Sequence, residues 1–500
     1  MIVKKNKVTL LNVISNLTLQ ICTILSGFII PKIILSYFGS NVNGLVSSLN
    51  QFLNYINLLE GGLTGVISAN LYKPLIKKDY KKINSILNTT KRFYQKIAII
   101  FIIYSVLLAV LYPVFFKSSF SYIYIFLLTI ILAMNLFVQY MFSLTFKTLL
   151  NADKKVYIVA ISQTIIIILN VLLAIISVRI YPSIHLLKLI TGLLYFIQPI
   201  VYTYYVNKHY KYDKNEKIDK NILKNRWNGF AINIAYFIHT STDVTILTVF
   251  TNFATVSIYG VYGLVVNGIK QLISSICGGI DPTIGHAYAK GDNKDTLQKL
   301  NIYEFITICL VYFFFTVAGL LITPFVMIYT SKITDANYYQ PIFGILILIS
   351  EALYLLKKPQ LTLAYSANKF KEITVPCFIE AFLNIIISVI LVTKFGLIGV
   401  AIGTIVAMLF RLIFQIQYTK KIISSYKPFN FYKKIFLFSI ITIVDVLLIN
   451  MFIPHIKFEI INWFWHAVLY SIICLVSYTI LCCTVYKNEV KYIKKYFIKK

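Results

Sequence analysis

Residues 42–73 read "VNGLVSSLNQFLNYINLLEGGLTGVISANLYK". A helix needs roughly 20 residues to cross ~30 Å of hydrocarbon, and this stretch exceeds that with Glu60 and Lys73 as its charged residues. Ser47, Asn50, Asn54, Asn57 and Gly61 recur three or four apart, which places them on one helical face. Glu60 lies beside that face. Polar side chains are costly in hydrocarbon, so such a face turns toward a bundle interior or a wet cavity. The stretch therefore reads as a transmembrane helix with a polar face.

Similar apolar blocks fill the chain on either side. The 500 residues are 58% hydrophobic and 13% charged, where a soluble chain carries charge on about a quarter of its residues; the mean hydropathy is +0.76. Fourteen spans are expected, at 8–37, 42–72, 93–116, 121–149, 156–180, 185–207, 228–251, 255–280, 302–329, 339–365, 372–393, 397–419, 433–453 and 462–485. The fold class is thus an all-α integral membrane protein. The connections are short and leave no room for a soluble domain. The formal charge of +30 would suggest nucleic acid in a soluble chain. Here the lysines cluster in alternate loops, where they set topology and meet anionic lipid headgroups. With the N-terminus inside, about 36 basic residues fall in inside segments and about 5 outside, which predicts both termini on the cytoplasmic side. No nucleic-acid partner is expected.

The opening stretch recurs. Residues 259–290 end "SICGGIDPTIGHAYAK", and the pairs Gly61-Gly62 and Gly278-Gly279 are 217 positions apart. The sequences "LLNADKK" at 149–155 and "AYSANKF" at 364–370 match at nearly the same offset. Two matches at one offset suggest two homologous six-helix halves, sharing one orientation because six is even, and related by a pseudo-two-fold axis along the membrane normal. The expected lobes are 1–227 and 228–432, with 433–500 as an appended helix pair and basic tail.

Polar stripes fall in the first two spans of each half. Asn12, Asn16, Gln20, Thr23, Gly27 and Pro31 mark the first span. Asn233, Tyr236, Thr240 and Asp243 mark the seventh, and Gly263, Asn267, Lys270, Gln271, Ser274 and Gly278 the eighth. Small and amide residues also pack membrane helices together, but four stripes in corresponding places favour a central cavity. Deep ionisable candidates are Glu60, Asp243, Lys270, Glu351, Glu380, Arg411 and Asp445. Lys270 sits near mid-span, either as an anion-binding group or as the ion-pair partner of Asp243. Lys32, just after Pro31, lies nearer a helix end, and Lys357 and Lys358 are expected to snorkel. No GxxxxGK[ST] loop is present for nucleotide hydrolysis, no metal-ligand spacing is found, and the seven cysteines read as free thiols. No cofactor, metal or catalytic residue is expected.

The stretch 30–75, "IPKIILSYFGSNVNGLVSSLNQFLNYINLLEGGLTGVISANLYKPL", resembles the start of polysaccharide-export flippases, the branch of the multidrug/oligosaccharidyl-lipid/polysaccharide exporter superfamily that serves O-antigen and capsule. Residues 240–292, "TSTDVTILTVFTNFATVSIYGVYGLVVNGIKQLISSICGGIDPTIGHAYAKGD", and 323–341, "TPFVMIYTSKITDANYYQP", extend the likeness. The resemblance implies two six-helix lobes around a cavity in a bacterial cytoplasmic membrane. It implies movement of an undecaprenyl-pyrophosphate-linked oligosaccharide from the inner to the outer leaflet. By the same likeness Lys32 and Lys270, with Arg411 a further candidate, would hold the pyrophosphate, with Glu60 and Asp243 as partners of those charges. A polysaccharide polymerase and other export machinery are further expected partners. The expected cavity comprises Lys32, Asn54, Asn57, Glu60, Asn233, Thr240, Asp243, Asn267, Lys270, Gln271 and Arg411. Alternatives are a multidrug–cation antiporter or a lipid II flippase of the same superfamily, and, from another class, a glycan polymerase. Lys270 argues against the cation antiporter, and the absence of a long outer loop argues against the polymerase.

Overall fold

The computed structural model describes residues 2–61, 63–116, 119–219, 230–454 and 456–498. The described residues form helices and no strands. In chain order these are α1 (Ile2–Asn54), α2 (Leu63–Lys77), α3 (Tyr80–Phe115), α4 (Tyr122–Val138), α5 (Leu144–Ala152), α6 (Val156–Ile180), α7 (Ile184–Leu194), α8 (Ile197–His209) and α9 (Phe230–Phe250). There follow α10 (Phe253–Ala289), α11 (Asn293–Tyr329), α12 (Pro341–Leu356), α13 (Lys358–Ser366), α14 (Phe370–Phe395), α15 (Leu397–Ile422), α16 (Pro428–Phe452), α17 (Ile460–Val485) and α18 (Lys487–Ile498). Among the described residues, 11 helices are long and apolar enough to cross a membrane. The other expected spans have identifiable reasons for falling outside that number. α1 bends at Gly39 (φ 81°, ψ 178°) and carries two spans in one element. The tenth span divides into α12 and α13, where Pro359 opens a new helix, and α9 is described only in part.

The chain divides into two compact units, Met1–Phe237 and Ile238–Lys500. The first is built around Tyr94 and Phe101 of α3, Leu149 and Leu150 of α5, and Tyr202 and Val206 of α8, all buried. A smaller cluster joins Ile30, Ile33 and Phe38 of α1 to Ala174, Val178 and Leu187. In the second unit α16 and α17 pack on α11 through Leu321, Ile449 and Tyr470, and the Trp463 indole N–H donates to the Leu321 carbonyl at 3.2 Å. Outward faces stay apolar: Ile99, Ile100, Ile102, Ile103, Val106 and Leu107 of α3 are exposed, as suits a surface against lipid tails.

The sequence repeat is visible as matched turns inside each unit. Lys154 and Asn368 both take positive φ, 61° and 56°. Around each, the three backbone amides from 153 and from 367 bond back in the same pattern, Lys155 N–H to Leu150 and Lys369 N–H to Ala364 among them. These are left-handed helix ends that satisfy the last carbonyls. Lys78 and Gly291 likewise take positive φ before an aspartate that caps the next helix. At the second of these caps the Lys294 and Asp295 amides donate to Asp292 and hold its carboxyl below the usual carboxylate range.

The glycine pairs do not match in conformation. Gly278 and Gly279 lie inside the continuous α10. Gly61 takes φ 47° and follows a 3₁₀ segment, Tyr55–Leu59. The expected unbroken stripe from Ser47 to Gly61 is therefore corrected: the helix stops at Asn54 and restarts at Leu63. A glycine tolerates positive φ without a Cβ clash, and 3₁₀ turns within a span commonly mark functional sites.

The seam of α14 and α15 is the tightest helix contact in the second unit. A Cβ added to Gly399 would sit 2.4 Å from the Leu391 carbonyl oxygen, and one added to Gly403 would sit 2.1 Å from Ser388 Oγ and 2.7 Å from Ser388 N. Gly399 and Gly403 form the small-xxx-small spacing that lets backbones approach. Gly403→Ala is expected to destabilise the protein by about 1–3 kcal/mol, the usual cost of overpacking. The check is the thermal transition of the purified variant in detergent; an unchanged transition would refute the close-approach argument.

Candidate functional site

In the first unit the broken span gathers a polar centre. Thr64 Oγ1 donates to Glu60 Oε1 and lies 3.1 Å from the Tyr94 hydroxyl. Tyr94 reaches the same carboxylate oxygen at 3.5 Å. Tyr140 comes from a π-helical turn at Gln139–Ser143. Its hydroxyl donates to Asn57 Oδ1 at 2.7 Å and approaches Glu60 Oε2 at 3.4 Å. Asn57 in turn donates to Asn54 Oδ1 at 3.3 Å. Glu60 is thus ringed by hydroxyls, with no lysine or arginine within ion-pair distance among the described residues. The expected pairing of Glu60 with a cavity lysine is not made. Lys147 of α5, which the sequence reading did not single out, is partly buried and close enough to feel the Glu60 charge.

Other first-unit candidates go elsewhere. Asn12 brackets the turn into α6, donating to the Lys154 carbonyl at 2.8 Å and accepting from the Tyr157 amide at 2.9 Å. Asn16 and Thr23 bond back along their own helix. Lys32 lies partly buried directly after Pro31. The side chains of Asn233 and Thr240 lie outside the described residues.

The second unit holds a charged chain across four helices. Lys270 Nζ of α10 pairs with Glu351 Oε2 of α12 at 2.9 Å and lies 4.6 Å from the centroid of the Tyr354 ring. Lys357 Nζ lies 4.8 Å from that ring and pairs with Glu380 Oε1 of α14 at 3.0 Å. Arg411 Nε of α15 takes the other oxygen, Glu380 Oε2, at 3.2 Å. Lys358 Nζ donates to the Ser274 carbonyl at 3.0 Å, one turn from Lys270 on α10. Lys270 thus faces Glu351, Lys357 and Arg411 face Glu380, and Lys358 faces a backbone carbonyl. The expected partner of Lys270, Asp243, is corrected to Glu351. Lys357 is also corrected: it is 4% exposed, turned into the protein where α12 gives way to α13, and does not snorkel. Arg411 is 1% exposed and already committed to Glu380. Asn267 and Gln271 are exposed on α10.

Asp243 forms a separate centre. It is 8% exposed. Tyr259 donates to Oδ2 at 3.0 Å, Thr404 reaches both oxygens at 3.1 and 3.2 Å, and Asn384 Nδ2 approaches Oδ1 at 3.5 Å. Ser388 donates to Asn384 Oδ1 at 3.0 Å and sits against Gly403, so the tight α14–α15 seam positions this centre. No lysine, arginine or histidine among the described residues pairs with Asp243. A buried carboxylate is expensive in hydrocarbon, and here the donors of Tyr259, Thr404 and Asn384 offset that cost. Among the described residues no group of three or more His, Cys, Asp or Glu side chains could hold a metal.

The same unit has a cavity of about 950 Å³ between α11, α12 and α16, larger than the ~300 Å³ lower bound of ordinary ligand pockets. Phe315, Leu320, Ile345, Ile349, Val446 and Ile453 are among its walls. α12 separates the two features. Glu351 and Tyr354 belong to the charged chain, while Ala352, Leu353 and Leu356 line the cavity.

The backbone as a whole is similar to solved membrane transporters. The lipid II flippase MurJ, in an inward closed conformation, is similar with a TM-score of 0.73 at 15% identity, over 95% of this chain and 99% of that one. The chain shares that fold. An inward-facing multidrug resistance MATE family transporter of the MOP superfamily is similar with a TM-score of 0.61 at 14% identity, over 83% and 99% of the two chains. A eukaryotic MATE transporter gives 0.60 at 13%, over 87% and 99%. No family model and no curated protein matches the sequence. At these identities the likeness concerns the fold of flippases and transporters, and the charged chain on this fold has to be read from its own chemistry.

Proposed function

We propose that the protein is a flippase that moves a lipid-linked oligosaccharide diphosphate from the inner to the outer leaflet of a bacterial cytoplasmic membrane, for surface polysaccharide assembly. The carrying observation is the gathering of cations in the Lys270–Arg411 chain, placed across one helix from an apolar cavity. Cations inside membrane spans are costly unless anions offset them. A diphosphate offers that charge with several acceptor oxygens, and the cavity suits part of an isoprenoid tail. Lys270 is partly exposed and offers its ammonium to that diphosphate. The fold likeness to a lipid II flippase supports the same substrate chemistry, a lipid diphosphate bearing sugar. The undecaprenyl carrier, the capsule or O-antigen destination and a polymerase partner follow from the sequence resemblance, and both termini in the cytoplasm from the distribution of basic residues among the loops.

The test is the leaflet distribution of lipid-linked glycan in depleted cells, read with a membrane-impermeant sugar probe. Accumulation on the inner leaflet is expected; an unchanged distribution would overturn the proposal.

Asp243 favours a second reading, a cation-coupled exporter of cationic drugs with the MATE-like fold. Asp243→Asn keeps the hydrogen-bonding shape and removes the charge. Under the flippase reading it is expected to lower glycan export by about tenfold or less, the order of a neutral hydrogen bond, with drug sensitivity unchanged. Raised sensitivity to cationic drugs with normal glycan export would transfer the assignment to drug efflux.

A further inference from the structure

We propose that Glu351 is an internal stand-in for the substrate's phosphate: it occupies Lys270 between transport events and is displaced when a diphosphate arrives. This rests on the flippase reading and concerns how the same site is kept closed and emptied.

The two carboxylates of the charged chain are held differently. Glu380 receives a cation on each oxygen, and its ion-pair side chains are 2–7% exposed. Glu351 has one cation, Lys270, and both side chains of that pair are 17–18% exposed. Its Oε2 is itself buried but takes no further hydrogen bond among the described residues. Glu380 is therefore fixed and Glu351 exchangeable. The facing groups are Lys270 from α10, Tyr354 and Lys357 beside it, and Asp243 and Tyr259 from the neighbouring centre.

Lys270 is supported independently of Glu351. Its ammonium stands over the Tyr354 ring, and a cation over an aromatic face gains about 0.5–2 kcal/mol. When Glu351 leaves, Lys270 remains held for an incoming phosphate. A diphosphate brings more charge and more acceptor oxygens than one carboxylate, so it can win the exchange. A tethered carboxylate is always near by, so it can return and expel the diphosphate once the headgroup loses its other contacts.

The arithmetic fixes the size of the effect. A site that is competent for a fraction f of the time binds with its intrinsic Kd divided by f. If Glu351 covers Lys270 for roughly 90–99% of the time, removing it tightens binding about 10- to 100-fold. A purely structural pair predicts the opposite: Glu351→Gln strips Lys270 of its partner and leaves binding unchanged or weaker.

The experiment titrates inorganic diphosphate into the purified full-length protein in detergent, by calorimetry at fixed ionic strength. Glu351→Gln is expected to tighten binding at least tenfold. Glu351→Asp, whose shorter arm reaches Lys270 less often, is expected to fall between it and the unmodified protein, and it decides the matter if Glu351→Gln does not fold. Unchanged or weaker binding in both folded variants, with Lys270→Ala still weakening it, overturns the role of Glu351 alone. Binding that ignores Lys270→Ala in both the unmodified and Glu351→Gln backgrounds, or no binding by any variant, overturns the phosphate assignment as well.

Discussion

Lys270→Ala is expected to reduce transport of lipid-linked glycan by about 10- to 100-fold, because a hydrogen bond to a charged group contributes roughly 1.5–3 kcal/mol. The interpretation depends on separating transport from folding. Removing Lys270 also leaves Glu351 without its cation, and a partly buried orphan carboxylate lowers stability by about 1–3 kcal/mol. The double variant Lys270→Ala/Glu351→Ala removes both charges. It is expected to recover most of that stability while export stays low. The paired measurements are thermal stability in detergent and outer-leaflet glycan at matched expression. Recovery of export along with stability would show Lys270 to be a structural partner only. The cycle belongs with Glu351, and Asp243→Ala is expected to give no such rescue.

Glu380→Ala is expected to be the most damaging single change to stability. It would leave Lys357 and Arg411, 4% and 1% exposed, with no carboxylate between them. Breaking a buried ion pair by removing one partner costs about 3–5 kcal/mol, and here one carboxylate serves two cations. The protein should fail to accumulate. Replacing all three residues by methionine tests the cause. Well-packed apolar substitutes for a buried charged cluster are often neutral or stabilising, so the triple variant should accumulate again. A Glu380→Ala variant with an unchanged melting transition would refute the structural assignment. Continued failure of the triple variant would show that the triad does more than neutralise itself.

Much of the fold could be read from the chain, because hydrocarbon demands long apolar blocks and loop lysines record their order. The ends of the fourth and tenth spans were legible too, in the matching "LLNADKK" and "AYSANKF", but the left-handed turns that Lys154 and Asn368 make there were not. The interruption at Tyr55–Gly61 was not. A three-to-four spacing treats Ser47 through Gly61 as one face, and the Gly61-Gly62 pair reads equally well as close packing. Lys270 was recognisable as a buried cation from its depth alone. Its partner was not, since Glu351 lies 81 residues away and only packing brings α10 against α12. Asp243 was nearer in sequence and so the natural choice. Lys357 was misread because its distance along the helix suggested an interfacial head; Pro359, two residues on, was the signal that the helix ends there and turns the side chain inward. Lys147 was passed over because it belongs to the basic boundary of a span, and the π turn that carries Tyr140 toward Glu60 has no sequence mark that single-chain periodicity detects.

The position of α12 makes the proposed site a coincidence detector. One flank of this helix meets charge and the other meets grease, and an α-helix with its side chains is only about 10–12 Å across. A water-soluble sugar nucleotide can satisfy one flank, and a membrane phospholipid with a small headgroup satisfies the two poorly at once. A long-tailed glycan diphosphate can straddle the helix and engage both. Selectivity then arises as a product of two modest preferences, so cells full of nucleotides and lipids would leave such a transporter idle until the one amphiphile with both halves arrives.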